Sequence, residues 1–289
     1  MNSNIASYRF HWRGILYAAV GIAAFAGLVM LMGFIGTKSS EQACMEMRVI
    51  LLGNESFIEQ KDIAALLVEK FGELEGRTLE SIPIHQIEQE LRQIPYVFSA
   101  IVTADMDGLL SVRVKQREAV VRVLNRGGDD FYVDQQGHKM PVSLKYVPRV
   151  PVVNGYISEP YDGTLDSTKS DLVTDLFKTA QFINSDSLWS SQIVQLYVNE
   201  NHDIELVPRV GEQRIILGDA DSLDRKFEKL LLFYRKIVPK TGIQAYKSVN
   251  LKFAGQIVCE RSAHFNPDDI LIIPDSTHHS SINNSNNTQ

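Results

Sequence analysis

The side chains able to carry chemistry are few, and their spacing argues against catalysis. His278 and His279 form an adjacent pair that could chelate a metal weakly, but in a run of Ser, Asn and Thr such a pair reads as accidental. Asp129-Asp130 and Asp268-Asp269 are paired acids of the kind that bind Ca²⁺. Neither pair sits in a loop of regularly spaced oxygen ligands, so both read as solvated loop positions. The chain has no phosphate-cradling Gly-x-x-x-x-Gly-Lys loop, no Gly-x-Ser-x-Gly elbow, no His-Glu-x-x-His pair and no Gly-x-Gly-x-x-Gly fingerprint. The expectation is a non-enzyme with no metal, no cofactor and no small-molecule substrate. Cys44 and Cys259 are too few for a zinc ribbon, though one long-range bridge is arithmetically possible.

With no catalytic constellation to position, the elements themselves carry the reading. The 289 residues allow one or two compact domains. Twenty-nine Lys plus Arg against 35 Asp plus Glu give a net charge of −6, which excludes a nucleic-acid partner that needs a dense basic surface. From Gly14 to Gly36 run 23 residues without a charged side chain. At about 1.5 Å per residue a helix of that length crosses a hydrocarbon core of about 30 Å. The run exceeds the roughly 7–15 apolar residues of a cleaved signal peptide, so an uncleaved anchor is expected. Arg9 and Arg13 flank its short side, which puts residues 1–13 in the cytoplasm and the bulk of the chain outside it.

Residues 44–117 read as β-α-α-β-β. Met47–Leu52 is a strand ending at Gly53-Asn54, and Ile63, Leu66, Leu67 and Phe71 share a helix face closed by Gly72. Pro83 opens a second helix with the stripe Ile84, Ile87, Leu91 and Ile94, and Pro95 stops it. Val97–Ala104 and Leu109–Gln116 are strands joined by a hairpin turn, Asp105-Met106-Asp107-Gly108. Residues 118–261 form a β-rich unit with two helical stretches, one carrying Leu172, Leu176, Phe177, Ala180 and Ile183, the other Leu223, Phe227, Leu230, Leu231, Tyr234 and Val238. Asp221 is placed to cap the second stretch. Strands are expected at Ile193–Val198, Ile204–Val207, Arg214–Leu217 and Val249–Val258. Residues 262–289, rich in Ser, Asn, Thr and His toward the end, read as a disordered tail.

The first of these units resembles a POTRA domain, on Val49-Ile50-Leu51-Leu52-Gly53-Asn54 with Phe57-Ile58, and on Ile94-Pro95-Tyr96-Val97 before Ala100-Ile101-Val102. One POTRA unit directly after a membrane anchor resembles the bacterial FtsQ/DivIB family. Gln116-Arg117-Glu118-Ala119, Phe131-Tyr132-Val133-Asp134-Gln135-Gln136-Gly137 and Val147-Pro148-Arg149-Val150-Pro151-Val152-Val153-Asn154-Gly155 are similar to that family's junction, hairpin and glycine-ended strand. The resemblance implies an α+β protein with an N-terminal transmembrane helix, a POTRA domain, a β domain and a flexible tail. It also implies a cell-division scaffold of the inner membrane with its bulk in the periplasm. In that architecture Cys44 begins the membrane-proximal module and Cys259 ends the distal one, so two free thiols are expected.

The resemblance further implies where partners dock. In the family a strand near the end of the β domain accepts a strand from the coiled-coil subunit FtsB, in a complex completed by FtsL. The corresponding run here is Val249 to Val258, and the expected partner-binding residues are Leu251, Lys252, Phe253, Ala254, Gly255, Gln256, Ile257 and Val258. Leu251-Lys252-Phe253 is similar to the family's Leu-Arg-Tyr, with Lys for Arg and Phe for Tyr. A single charge and no Pro in this run leave a strand edge open to pairing. The alternative is a membrane-anchored POTRA module that chaperones proteins toward an export pore. Such proteins carry several repeats or a terminal barrel, and this sequence shows one unit and no barrel pattern.

Overall fold

The computed structural model describes residue 17 and residues 19–30 and 42–263. Residues 19–30 are helical. Among the described residues no helix is long and apolar enough to cross a membrane. The span expected over Gly14 to Gly36 lies partly outside the described residues, and residues 1–13 and 264–289, with His278, His279, Asp268 and Asp269, lie wholly outside them.

Two compact units divide between Gln116 and Arg117. The first contains β1 (Glu46–Leu52), α1 (Gln60–Phe71), α2 (Ile84–Gln93), β2 (Val97–Ala104) and β3 (Leu109–Gln116). Its sheet runs β1-β3-β2, with β1 parallel to β3 and β2 antiparallel to it. Parallel pairing of β1 with β3 requires a long crossover, which the two helices provide. Leu110, Val112 and Val114 are buried on one face of β3, while Arg113 and Lys115 on the other are exposed. Ile87 and Leu91 of α2 are fully buried, whereas Ile84 and Ile94 are half-buried, so the expected apolar stripe is narrower than its spacing suggested. The β2–β3 turn closes through Gly108, whose φ of 87° suits glycine and whose N–H donates to Asp105 O.

Adjacent residues at the boundary serve different units. The Gln116 side chain donates to Glu55 O and Ile58 O and accepts from Ile58 N–H, which ties the 55–58 loop to the end of β3. Arg117 forms a buried ion pair with Asp134 of the second unit.

The second unit contains β4 (Ala119–Val123), β5 (Phe131–Asp134), β6 (His138–Pro141), β7 (Val152–Gly155), β8 (Asp166–Ser167), α3 (Asp171–Ser185), α4 (Ser187–Gln192), β9 (Ile193–Val198), β10 (Ile204–Pro208), β11 (Arg214–Gly218), α5 (Leu223–Leu232), a π-helical turn (Phe233–Ile237), α6 (Val238–Thr241), β12 (Tyr246–Asn250) and β13 (Val258–Arg261). One ten-stranded sheet runs β13-β12-β11-β10-β9-β7-β4-β5-β6-β8. β7 pairs parallel with β9, and β11 parallel with β12. Both of these pairs are bridged by helix, α3–α4 in the first and α5–α6 in the second, whereas β4, also parallel to β7, reaches it through β5 and β6. Because β9, β11 and β12 share one direction and both crossovers advance the same way along the sheet, a common handedness puts both helical stretches on one face. Phe182 of α3 and Phe227 of α5 accordingly meet at 4.7 Å between ring centroids, with Trp189 edge-on to Phe227 at 5.0 Å. Beneath them lie Val121, Phe131, Val133, Leu196, Leu206, Ile215 and Val249.

The cap of α5 differs from the expectation. Ser222 occupies the position before the helix with a left-handed backbone and makes no side-chain cap bond, while Asp221 donates its N–H to Asp219 Oδ1. The Asp219 carboxylate instead takes Lys226 Nζ at 2.6 Å.

Candidate functional site

Among the described residues β13 is one terminal strand of the ten-stranded sheet, with β12 as its strand neighbour. An edge strand leaves a row of main-chain donors and acceptors without a ladder partner. Opposite pairs are Val249 with Cys259 and Asn250 with Val258. Cys259 packs against the core, Val258 is 44% exposed, and Glu260 and Arg261 are exposed. Glu260 accepts from Lys247 Nζ at 3.1 Å and Ser248 Oγ at 3.2 Å. The Lys247 bond, with that lysine's charge, holds its carboxyl below the usual carboxylate range. Burial pushes the Cys259 thiol up, so it stays protonated. Both Cys44 and Cys259 are free.

The expected docking strand, Val249–Val258, is not one strand. β12 ends at Asn250, residues 251–257 form a connecting loop, and β13 begins at Val258 and continues through Glu260 and Arg261. Of the eight residues singled out for the edge, Leu251, Lys252, Phe253, Ala254, Gly255, Gln256 and Ile257 lie in the loop and Val258 opens the edge strand. The chain turns out of the sheet for local reasons. Asn250 Oδ1 accepts the Lys252 N–H at 3.0 Å, an Asx-type turn, and Gly255 adopts φ 74°. Leu251 stays attached, fully buried with its N–H on Ile216 O at 2.8 Å, while 252–256 are exposed.

Lys252 is engaged within the chain, its Nζ 2.8 Å from each carboxylate oxygen of Asp203. Phe253 is 46% exposed and does not fill the core. A groove of about 510 Å³ runs alongside, lined in part by Asp219, Arg225, Lys229, Leu251, Lys252 and Gly255. Sequence reasoning missed Asp203, Lys229 and the Glu260-Arg261 end of the strand. The signal that could have found the break was Asn250 followed by Gly255, a turn former and a turn-permissive residue inside an apparent strand. The acids Asp129 and Asp130 lie in the loop before β5, where Asp130 Oδ1 accepts the Asn125 N–H.

Residues 118–260 match the family model described as FtsQ/DivIB, C-terminal related, and residues 42–115 match the model of a POTRA-like domain. A curated relative, the cell division protein FtsQ of Rhodothermus marinus, is 28% identical over 194 residues, covering 65% of this chain and 69% of the relative.

Proposed function

Since the chain belongs to the FtsQ/DivIB family, we propose that it serves bacterial cell division as a non-enzymatic scaffold. In this reading it is held in the inner membrane by one helix over Gly14 to Gly36, with its N-terminus in the cytoplasm and both folded units in the periplasm. It recruits and links membrane subunits of the FtsB/FtsL coiled-coil type at the division site, partly by accepting a strand beside β13. The observation that carries this is the position of Val258–Arg261 as the terminal strand of the sheet among the described residues, in a stretch without proline. The docking surface moves accordingly from the 251–258 run to Val258–Arg261, with the 251–257 loop beside it.

The test is capture of co-expressed FtsB- and FtsL-type subunits by full-length and shortened chains. A chain ending at Ser262 should retain them, and one ending at Ile257 should lose them while its circular dichroism stays that of a folded protein. Undiminished capture by the shorter chain defeats the edge-strand mechanism. A fluorescent fusion that spreads evenly over the envelope of dividing cells, with no midcell ring, defeats the division-site reading.

A further inference from the structure

The loop that delivers the chain into β13 is fastened from a helix. Lys229 of α5 points its ammonium at three main-chain carbonyls, Leu251 O at 2.6 Å, Phe253 O at 2.7 Å and Gln256 O at 3.5 Å. An ammonium has three donors and no acceptor; here two short bonds go to Leu251 O and Phe253 O, with Gln256 O of the same loop as a third, longer contact. Nearby lysines are spent on acids, Lys226 on Asp219 and Lys252 on Asp203. We infer that Lys229 is a positioning residue for the docking edge, a latch that fixes the 251–257 loop and thereby the height and register at which Val258–Arg261 is laid against β12.

The stretch 252–256 is exposed and contains a glycine at positive φ, so its own packing does little to order it. The bonds that span it from start to finish are those to Lys229. Charge-assisted bonds are stronger than neutral ones, and an ammonium shared among carbonyls in a half-buried place gains most from them. Burial, and after it the Lys226 ammonium, push the Lys229 pKa down. A strand added at the edge meets β13 in whatever register the loop has set, since a one-residue slip turns every side chain to the other face. The latch thus acts on docking through β13, without touching the partner.

This inference rests on the docking role of β13, and the experiment separates the two. Amide hydrogen exchange is measured on the full chain as wild type, Lys229→Met and Lys229→Arg, alongside capture of the co-expressed FtsB- and FtsL-type subunits. Removing the ammonium while keeping an apolar stem should speed exchange across residues 251–261 by about tenfold or more, with β4, β5 and β9 unchanged. The arginine variant should recover much of the protection and much of the capture. Unchanged exchange across 251–261 in Lys229→Met overturns the latch. Exchange that rises equally in β4 and β5 also overturns it, because Lys229 would then be holding the whole unit. A wild-type chain that captures no subunit refutes the docking role itself, whatever the exchange shows.

Discussion

Lys139 and Glu159 are both fully buried, and Lys139 Nζ donates to Glu159 Oε1 at 3.2 Å and to Pro160 O at 2.8 Å. The carboxylate also takes the N–H groups of Lys169 at 2.8 Å and Ser170 at 3.3 Å, and Ser170 is the residue that caps α3. The pair therefore fixes the entry to the crossover helix against β6.

Burial by itself raises the Glu159 carboxyl, but hydrogen bonds from Ser170 and Lys169, with the Lys139 ammonium, outweigh it and leave the group below its ordinary range. A carboxyl with a folded pKa below its unfolded value of about 4.3 stabilises the fold above that pH, and the contribution is lost as pH falls through the folded pKa. Chemical denaturation from about pH 7 down to about pH 3 should show this loss, and Glu159→Gln should flatten that acid limb. At neutral pH the same variant leaves the buried Lys139 with only the more distant Asp166 carboxylate, at 3.6 Å, as counter-charge, at a cost of up to about 3–5 kcal/mol. An acid limb of the same steepness in the variant would rule out this carboxyl as the source.

In the first unit, Leu91→Ala removes a side chain with no exposed surface from the face of α2 that meets the sheet. The expected loss is about 2–5 kcal/mol, read from denaturant-dependent exchange of the β2 and β3 amides. Ile84→Ala, at a half-buried position, should cost clearly less. Equal costs would mean that the helix is rotated from the orientation seen here.

Gly155 ends β7 at φ +109°, opposite Val198 of β9. A Cβ there would sit inside contact distance of the Val198 carbonyl oxygen, the acceptor of the Tyr156 N–H. Gly155→Ala should destabilise the second unit by at least about 2 kcal/mol, from strained backbone together with a displaced ladder. Thermal melting would expose the error if the variant proved as stable as the parent.

The Lys252–Asp203 pair is partly open to solvent. Asp203→Asn should therefore change stability by less than about 1 kcal/mol, with a smaller effect in about 1 M salt. A larger, salt-independent loss would show that the pair holds the loop as firmly as Lys229 does.

Much of the fold was legible in the chain itself. Val97–Ala104, Leu109–Gln116 and Ile193–Val198 have the bounds their residue patterns suggest, because alternation between a buried and an open face is written into consecutive residues. Pro83, Pro95 and Gly108 act where they stand, through fixed φ or freedom at positive φ. What the sequence could not decide was where β12 ends and what becomes of the residues after it. Val249 to Val258 reads as a strand by its apolar residues, and Asn250 and Gly255 signal a turn without saying where the strand stops or resumes. Leu251 is still held to the sheet by Ile216, and beyond it the local turn at Asn250 and Lys252 is completed by carbonyls that face Lys229, on a helix earlier in the chain. Lys252 was legible as a lone positive charge but not as the partner of Asp203, which lies just before β10. Local pattern records what each residue prefers, whereas these pairings arise only when the crossover helix and the sheet are stacked, and that stacking determines which main-chain groups are left at the edge.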